Sequence, residues 1–323
     1  MVYALYLPAQ FIMIKIILLL FMPLFTFSQT VLLTGFVRDG KTNLPLADAK
    51  VRLYLGGALG ELTTLTKEDG YYEIQATGKL VDRDYAFTIQ KEGYQRLNGI
   101  VRLNYGNSPQ RNYSIYPSKE PVIEVTQVEE VKQEGPSLMG SPVNNLTFLI
   151  DISGSMGEEN RLENLKQSLI YLIDLYRPED KISIVTYSSF PTVIIDKGSV
   201  ADKEQIVKAI QKLRAGGQTK GIEGLKMAYD LAMENHKSGG NNKIILATDG
   251  YFGMDIRSQK SIEELIANGY NQGVKLSIFA FGKKDDETET RLSKWCAAGA
   301  GFYTNIASLE LAKDQIIKEA RGK

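Results

Sequence analysis

The run Asp151-Ile-Ser153-Gly-Ser155 places one carboxylate and two hydroxyls at alternate positions, directly after the apolar stretch 146–150. Oxygen donors of this kind suit a hard cation such as Mg²⁺, which keeps several waters and takes few carboxylates. Two more oxygen side chains stand in comparable places. Thr219 closes Ala215-Gly-Gly-Gln-Thr219 at the start of a helical pattern, and Asp249 ends Lys243-Ile-Ile-Leu-Ala-Thr-Asp249 just before Gly250. In an open parallel sheet, ligands collect beyond the carboxyl ends of the strands. Asp151 and Asp249 would lie at two such ends, and Thr219 on a loop able to reach the same edge.

The elements that must hold these residues are legible from position 145 onward, where apolar strand-like runs alternate with helical patterns. That alternation is the mark of a parallel sheet with crossover helices, a doubly wound α/β fold. Strands are expected at 146–150, 182–187, 244–248 and 276–281, with a short one at 301–304. A helix carrying Leu162, Leu165, Leu169, Leu172 and Tyr176 on one face follows the first strand and is stopped by Pro178. A second runs from an N-cap at Asp202 through Ile206, Ile210 and Leu213. A third carries Ile222, Leu225, Tyr229 and Ala232, and the last spans 308–320.

Together, Asp-x-Ser-x-Ser at 151–155, the distant Thr219 and the Asp249-Gly250 pair resemble the metal-ion-dependent adhesion site of von Willebrand factor A (vWA) domains. The resemblance implies that Ser153, Ser155 and Thr219 touch the metal in one state or another. Asp151 and Asp249 would bind it directly or through water. It implies Mg²⁺, or Mn²⁺ or Ca²⁺, with one coordination position left for an Asp or Glu carboxylate of a protein partner. The segments 175–187 and 239–250 are similar to a bacterial exported branch of that family. That branch often has Asn after the site threonine, where this chain has Lys220, and an acidic residue after Asp-Gly, where this chain has Tyr251. Lys220, Tyr251 and Phe252 are therefore expected on the rim that selects the partner.

Residues 30–117 read as all-β, with short β-rich runs separated by turns such as Asp39-Gly40, Asp69-Gly70 and Glu92-Gly93. Asp69-Gly70, between Thr63-Thr-Leu-Thr66 and Tyr71-Tyr-Glu-Ile74, signals a hairpin. The order Gly35-Phe-Val-Arg-Asp, Pro45-Leu-Ala-Asp-Ala-Lys-Val, Thr66-Lys-Glu-Asp-Gly-Tyr and Lys91-Glu-Gly-Tyr94 resembles the carboxypeptidase-regulatory-like (transthyretin-like) domain. That likeness implies a seven-stranded accessory sandwich without catalytic residues. The expected organisation is a targeting segment at 1–28, a β-sandwich at 29–117, an acidic, Pro-containing linker at 118–144 with a short strand at 122–131, and a vWA domain at 145–323. Lys15 before the apolar run 16–27, with Thr26 and Ser28 at −3 and −1, predicts cleavage before Gln29, with Met13 as an alternative start. The uninterrupted core falls short of the roughly 20 residues that span a bilayer. Membrane attachment is expected only if that segment is retained. The mature chain is expected to be exported, to a periplasm, the cell surface or the medium, and to be bacterial.

Composition narrows the function classes. Thirty-eight basic residues balance 38 acidic ones, so no net charge draws the chain to nucleic acid. One cysteine, Cys296, excludes an internal disulfide, and with a single histidine, His236, it rules out a Cys/His zinc cluster. Cys296 beside Trp295 reads as a buried small apolar residue. The run 35–42, Gly-Phe-Val-Arg-Asp-Gly-Lys-Thr, satisfies the P-loop pattern, but Pro45 and the β-rich run after it supply no helix to cradle a phosphate, and no nucleotide is expected. Ser153-Gly-Ser155-Met-Gly157 approaches a nucleophile elbow, but a hydrolase would need a base near Ser155. His236 lies at the far end of the third helix. An EF-hand loop fails at Met156 and Leu162. The expectation is a non-enzymatic, adhesion-type binding protein. The alternatives are a cell-envelope scaffold with a mainly structural metal and, more remotely, a serine hydrolase using Ser155.

Overall fold

The structure is a computed structural model that describes residues 30–55, 60–77, 80–104, 108–118, 137–252, 256–282 and 285–322. The expected targeting segment and the strand at 122–131 lie outside the described residues.

Seven strands come first: β1 (Thr30–Asp39), β2 (Lys50–Tyr54), β3 (Glu61–Leu65), β4 (Tyr71–Thr77), β5 (Arg83–Gln90), β6 (Leu97–Leu103) and β7 (Tyr113–Ile115). They form a three-stranded sheet, β4-β1-β7, and a four-stranded sheet, β3-β2-β5-β6. Period-two alternation aims Val31, Leu33 and Val37 of β1 inward, where they meet Val51 and Leu53 of β2 and Phe87 and Ile89 of β5 in one apolar cluster. The turn at Asp69-Gly70 is real, with Gly70 at φ +80° and its amide donating to Lys67. The hairpin is not: β3 pairs with β2, and β4 crosses to pair with β1. The turn makes a corner between sheets, and on β4 the inward Tyr72, Ile74 and Ala76 pack into the same apolar cluster as β1.

The P-loop-like run folds as a strand and a turn. Asp39 Oδ1 accepts the Lys41 and Thr42 amides at 2.7 and 2.9 Å, which occupies the N–H groups a phosphate would need.

The second unit is built on a six-stranded sheet, β10-β9-β8-β11-β12-β13. Its strands are β8 (Asn144–Asp151), β9 (Lys181–Tyr187), β10 (Thr192–Gly198), β11 (Asn241–Thr248), β12 (Lys275–Phe281) and β13 (Tyr303–Ile306). All neighbours are parallel except β10, which turns back on β9 with two register irregularities. The helices are α1 (Arg161–Asp174), α2 (Lys203–Lys212), α3 (Gly221–Glu234), α4 (Ile256–Asn271), α5 (Asp286–Ala298) and α6 (Leu309–Ala320). α3, α4 and α5 cover one face around Leu149, Tyr187 and Leu246; α1, α2 and α6 cover the other around Phe148, Ile184 and Ile245. Every residue of β8 and β11 is buried, as expected of strands covered on both faces.

All five expected strands of this sheet are present, and the predicted apolar faces of the helices are buried. Three details differ. The edge strand β10 was not expected, because its apolar triplet is bounded by Pro191 and Asp196-Lys197. α4 carries a polar sequence that hid its periodicity. Asp202 is the N-cap residue of α2, as expected, but its side chain makes no capping hydrogen bond there; its Oδ2 accepts from the Ser199 amide and hydroxyl (3.1 and 3.0 Å), which closes a capping box around the 3-10 turn Val200–Asp202.

The two units touch. Tyr54 and Ala86, on the outward side of the four-stranded sheet, join the apolar cluster beneath α3. Around them Arg52 and Arg96 meet Asp230 and Glu234 of α3 and Asp196 of β10. No helix among the described residues is long and apolar enough to cross a membrane.

Candidate metal centre

β8 and β11 lie side by side, but the chain leaves β8 toward β9 and leaves β11 toward β12, so the winding direction reverses between them. The crevice beyond their carboxyl ends is the switch point where doubly wound sheets bind ligands. Ile150 pairs with Ala247, which sets Asp151 level with Thr248 and one step before Asp249.

Asp151 is fully buried. Its Oδ1 accepts the Ser153 amide at 2.8 Å, while Oδ2 accepts the Tyr187 hydroxyl at 3.0 Å and the Thr248 hydroxyl at 3.4 Å. Ser153 Oγ and Ser155 Oγ are 3.3 Å apart, so both hydroxyls of the run converge. The loop of Thr219 is stitched to this run. The Gly216 amide donates to Ile152 O at 2.7 Å, and the Gly154 amide faces Gly217 O at 3.4 Å. The Lys220 amide then donates to Ser188 O at 2.8 Å, anchoring the segment just before α3 begins. Gly217 is needed here because it sits at φ +84° and a Cβ would come within 2.9 Å of Ser189 Oγ. Asp249 has a side chain only 8% exposed, and its Oδ1 accepts the Tyr251 amide at 3.3 Å.

The electrostatics suit a cation. Burial pushes the Asp151 carboxyl up to about 6, and Asp249 acts in the same direction, while hydrogen bonds from Ser153 and Tyr187 oppose the shift. A dication beside these two carboxylates would offset that penalty. Because the donor set holds two carboxylates and otherwise neutral hydroxyls, it fits an ion that retains water ligands.

Sequence reasoning brought the Asp151 run, the Thr219 loop and Asp249 to one edge, and the structure places their segments there. The rim differs in part. Tyr251 is 69% exposed. Phe252 is not on the rim. It is buried edge-to-face between Tyr187 and Trp295, with ring centroids 5.5 and 5.3 Å away. Phe252 lies two residues past the bend at Gly250 (φ +104°), where the chain turns its ring inward against Gly221. Lys220 is half-buried, with its ammonium 4.6 Å above the Phe190 ring. Arg161, Tyr187 and Thr248 were not singled out from the sequence. For Arg161 a signal existed: a cation in the first turn of a helix opposes the helix dipole, so another interaction must hold it there.

His236 is exposed beyond the end of α3, 14 residues of helix or roughly 20 Å from the Thr219 edge. Cys296 is buried and its thiol is pushed up to about 12, first by burial, so it is inert.

A doubly wound α/β unit with a hard-cation donor set at its switch point defines a class of metal-dependent binding domains. The sequence model of the von Willebrand factor type A domain matches residues 145–318, and the chain belongs to that family. It is 38% identical over 180 residues to the uncharacterized protein YfbK of Escherichia coli (strain K12), covering 56% of this chain and 31% of that protein. The chain thus spans about a third of that relative's length. Among solved structures, a von Willebrand factor type A protein from Catenulispora acidiphila matches at a TM-score of 0.48 and 12% identity, covering 91% of this chain and 49% of that one. Proximal thread matrix protein 1 from the mussel byssus, described with a zinc-occupied MIDAS motif, matches at 0.44 and 21%, covering 56% and 48%.

Proposed function

We infer that this chain is a non-enzymatic, exported binding protein whose vWA site captures a partner carboxylate through a divalent cation. Asp151, Ser153, Ser155, Thr219 and Asp249 would hold Mg²⁺ or a similar ion. The ion supplies an electrophilic coordination position for an Asp or Glu side chain of a protein partner. The observation that carries this reading is the pair of backbone hydrogen bonds fastening the Thr219 loop onto the Asp151–Ser155 run, at the end of the strand adjoining β11. Without that stitching the oxygens would be separate turns. The largely neutral hydroxyl shell leaves the cation its charge, and Tyr251 offers an exposed aromatic beside it. The N-terminal sheets fit an accessory β-sandwich of the carboxypeptidase-regulatory-like kind.

A scaffold role is the second reading, supported by the buried ion pairs that fasten the two units together. A hydrolase is disfavoured, because Ser155 has no histidine within reach. Calorimetric titration with Mg²⁺, wild type against Asp151→Ala, tests the site. Affinity capture in Mg²⁺ against EDTA separates carboxylate capture, which EDTA reverses, from scaffolding, which it leaves intact.

A further inference from the structure

Arg161 opens α1, where the helix dipole disfavours a positive charge, yet its side chain is only 14% exposed. Nη1 donates to Ser155 O at 3.2 Å and lies 3.9 Å from Asp249 Oδ2. Nη2 donates to Glu159 Oε2 at 2.9 Å and stands 3.7 Å from Glu158. Behind it is Gly282, at φ +74°, where a Cβ would come within 2.7 Å of the guanidinium carbon. One cation therefore bridges the loops that follow β8, β11 and β12. Gly282 leaves room for it.

We propose that Arg161 is a built-in counter-cation to Asp249, a specificity-determining residue that weakens the site's hold on the metal and strengthens the metal's hold on a carboxylate. The inference rests on the cation-site reading above. Arginine stays charged at any working pH. With both carboxylates ionised, a dication alone would leave the site neutral. Adding the guanidinium leaves it net positive and attractive to an outside carboxylate. Glu158 and Glu159 share the guanidinium, but their side chains are 67% and 72% exposed, so water and salt screen them far more than Asp249. A neutral surface loop at this position would bind the ion more tightly and the partner less.

The test uses the full chain with Arg161→Gln and Arg161→Lys, each checked for native thermal unfolding. Mg²⁺ affinity is measured by calorimetry. Carboxylate affinity is read from broadening of the acetate methyl resonance by the Mn²⁺-loaded protein. Arg161→Gln should bind Mg²⁺ about tenfold more tightly and acetate about tenfold more weakly, from the loss of one unit charge at short range. Arg161→Lys, which keeps the charge, should lie nearer wild type in both. Unchanged or weaker Mg²⁺ binding in Arg161→Gln overturns the proposal and leaves the cation site standing. Absence of Mg²⁺ binding in both wild type and Arg161→Gln removes the cation site, and the proposal falls with it.

Discussion

Arg96 Nη2 donates to Glu234 Oε2 at 2.7 Å, joining the entrance of β6 to the last residue of α3. Arg96 also reaches Asp196 at 3.1 Å, and Arg52 reaches Glu234 at 3.3 Å and Asp230 at 3.1 Å. Burial raises the Glu234 carboxyl, but Arg96 first, then Arg52 and Lys50, more than reverse it and hold it below its usual range. Because the arginine side chains are almost wholly buried, removing one partner strands a charge away from water.

Arg96→Ala should therefore destabilise the chain by about 3 kcal/mol, the usual cost of breaking a buried pair. Urea unfolding should also lose its single transition as the two units come apart. Arg96→Lys, which keeps a cation beside Glu234 and Asp196, should recover part of the loss. An unchanged midpoint for Arg96→Ala would mean the contact contributes nothing.

Asp151→Asn should abolish Mg²⁺ binding and yet stabilise the cation-free protein at pH 7, by roughly 1–3 kcal/mol. The wild-type carboxyl is raised to about 6 from 3.8, so folding is penalised wherever it must ionise. Thermal unfolding in EDTA, run side by side for the two proteins, checks both halves.

The same shift gives a pH dependence. A group whose folded value is raised contributes stability that is complete below about 4 and lost as pH rises through about 6. The cation-free protein should lose this contribution over that window. A bound dication should suppress the loss, so the rise in melting temperature on adding Mg²⁺ should be larger at pH 7.5 than at pH 5. Equal increments at both would argue that Asp151 does not meet the ion.

Phe252→Ala should cost about 3–5 kcal/mol, as buried aromatic truncations do. A Cβ on Gly221 would come within 2.5 Å of the Phe252 ring, so the ring also fixes the start of α3. Hydrogen exchange of the amides at 221–224 should quicken in the variant.

Tyr251→Ala should leave Mg²⁺ affinity and unfolding unchanged but weaken partner binding about tenfold, through lost contact area. Lys220→Glu should act in the same direction by placing a like charge near the incoming carboxylate. Both are checked by affinity for a purified partner at fixed Mg²⁺ and two salt concentrations.

The oxygen set could be read from the sequence because strand ends and turns are local features, and Asp151 and Asp249 each follow an unbroken apolar run. Phe252 was misread because adjacency in sequence does not fix which side of a departing strand a residue takes. The crossing of β4 to β1 could not be read from Asp69-Gly70, since a turn fixes direction but not the partner strand. Arg161 belongs to no local motif, because its carboxylate partner, Asp249, lies 88 positions further along the chain, and only its place in the first turn of a helix marks it.

Asp151 ends the strand that Asn144 begins, so the candidate site and the incoming chain sit at opposite ends of one strand. β8 is held on both sides by parallel ladders of seven paired positions, against β9 and β11. A load applied at residue 137 against a captured partner would run along that strand, loading both ladders in shear so that their bonds resist together and do not peel one at a time. Pulling the molecule between a metal-held carboxylate and residue 137 should therefore rupture the coordination before it unravels the sheet.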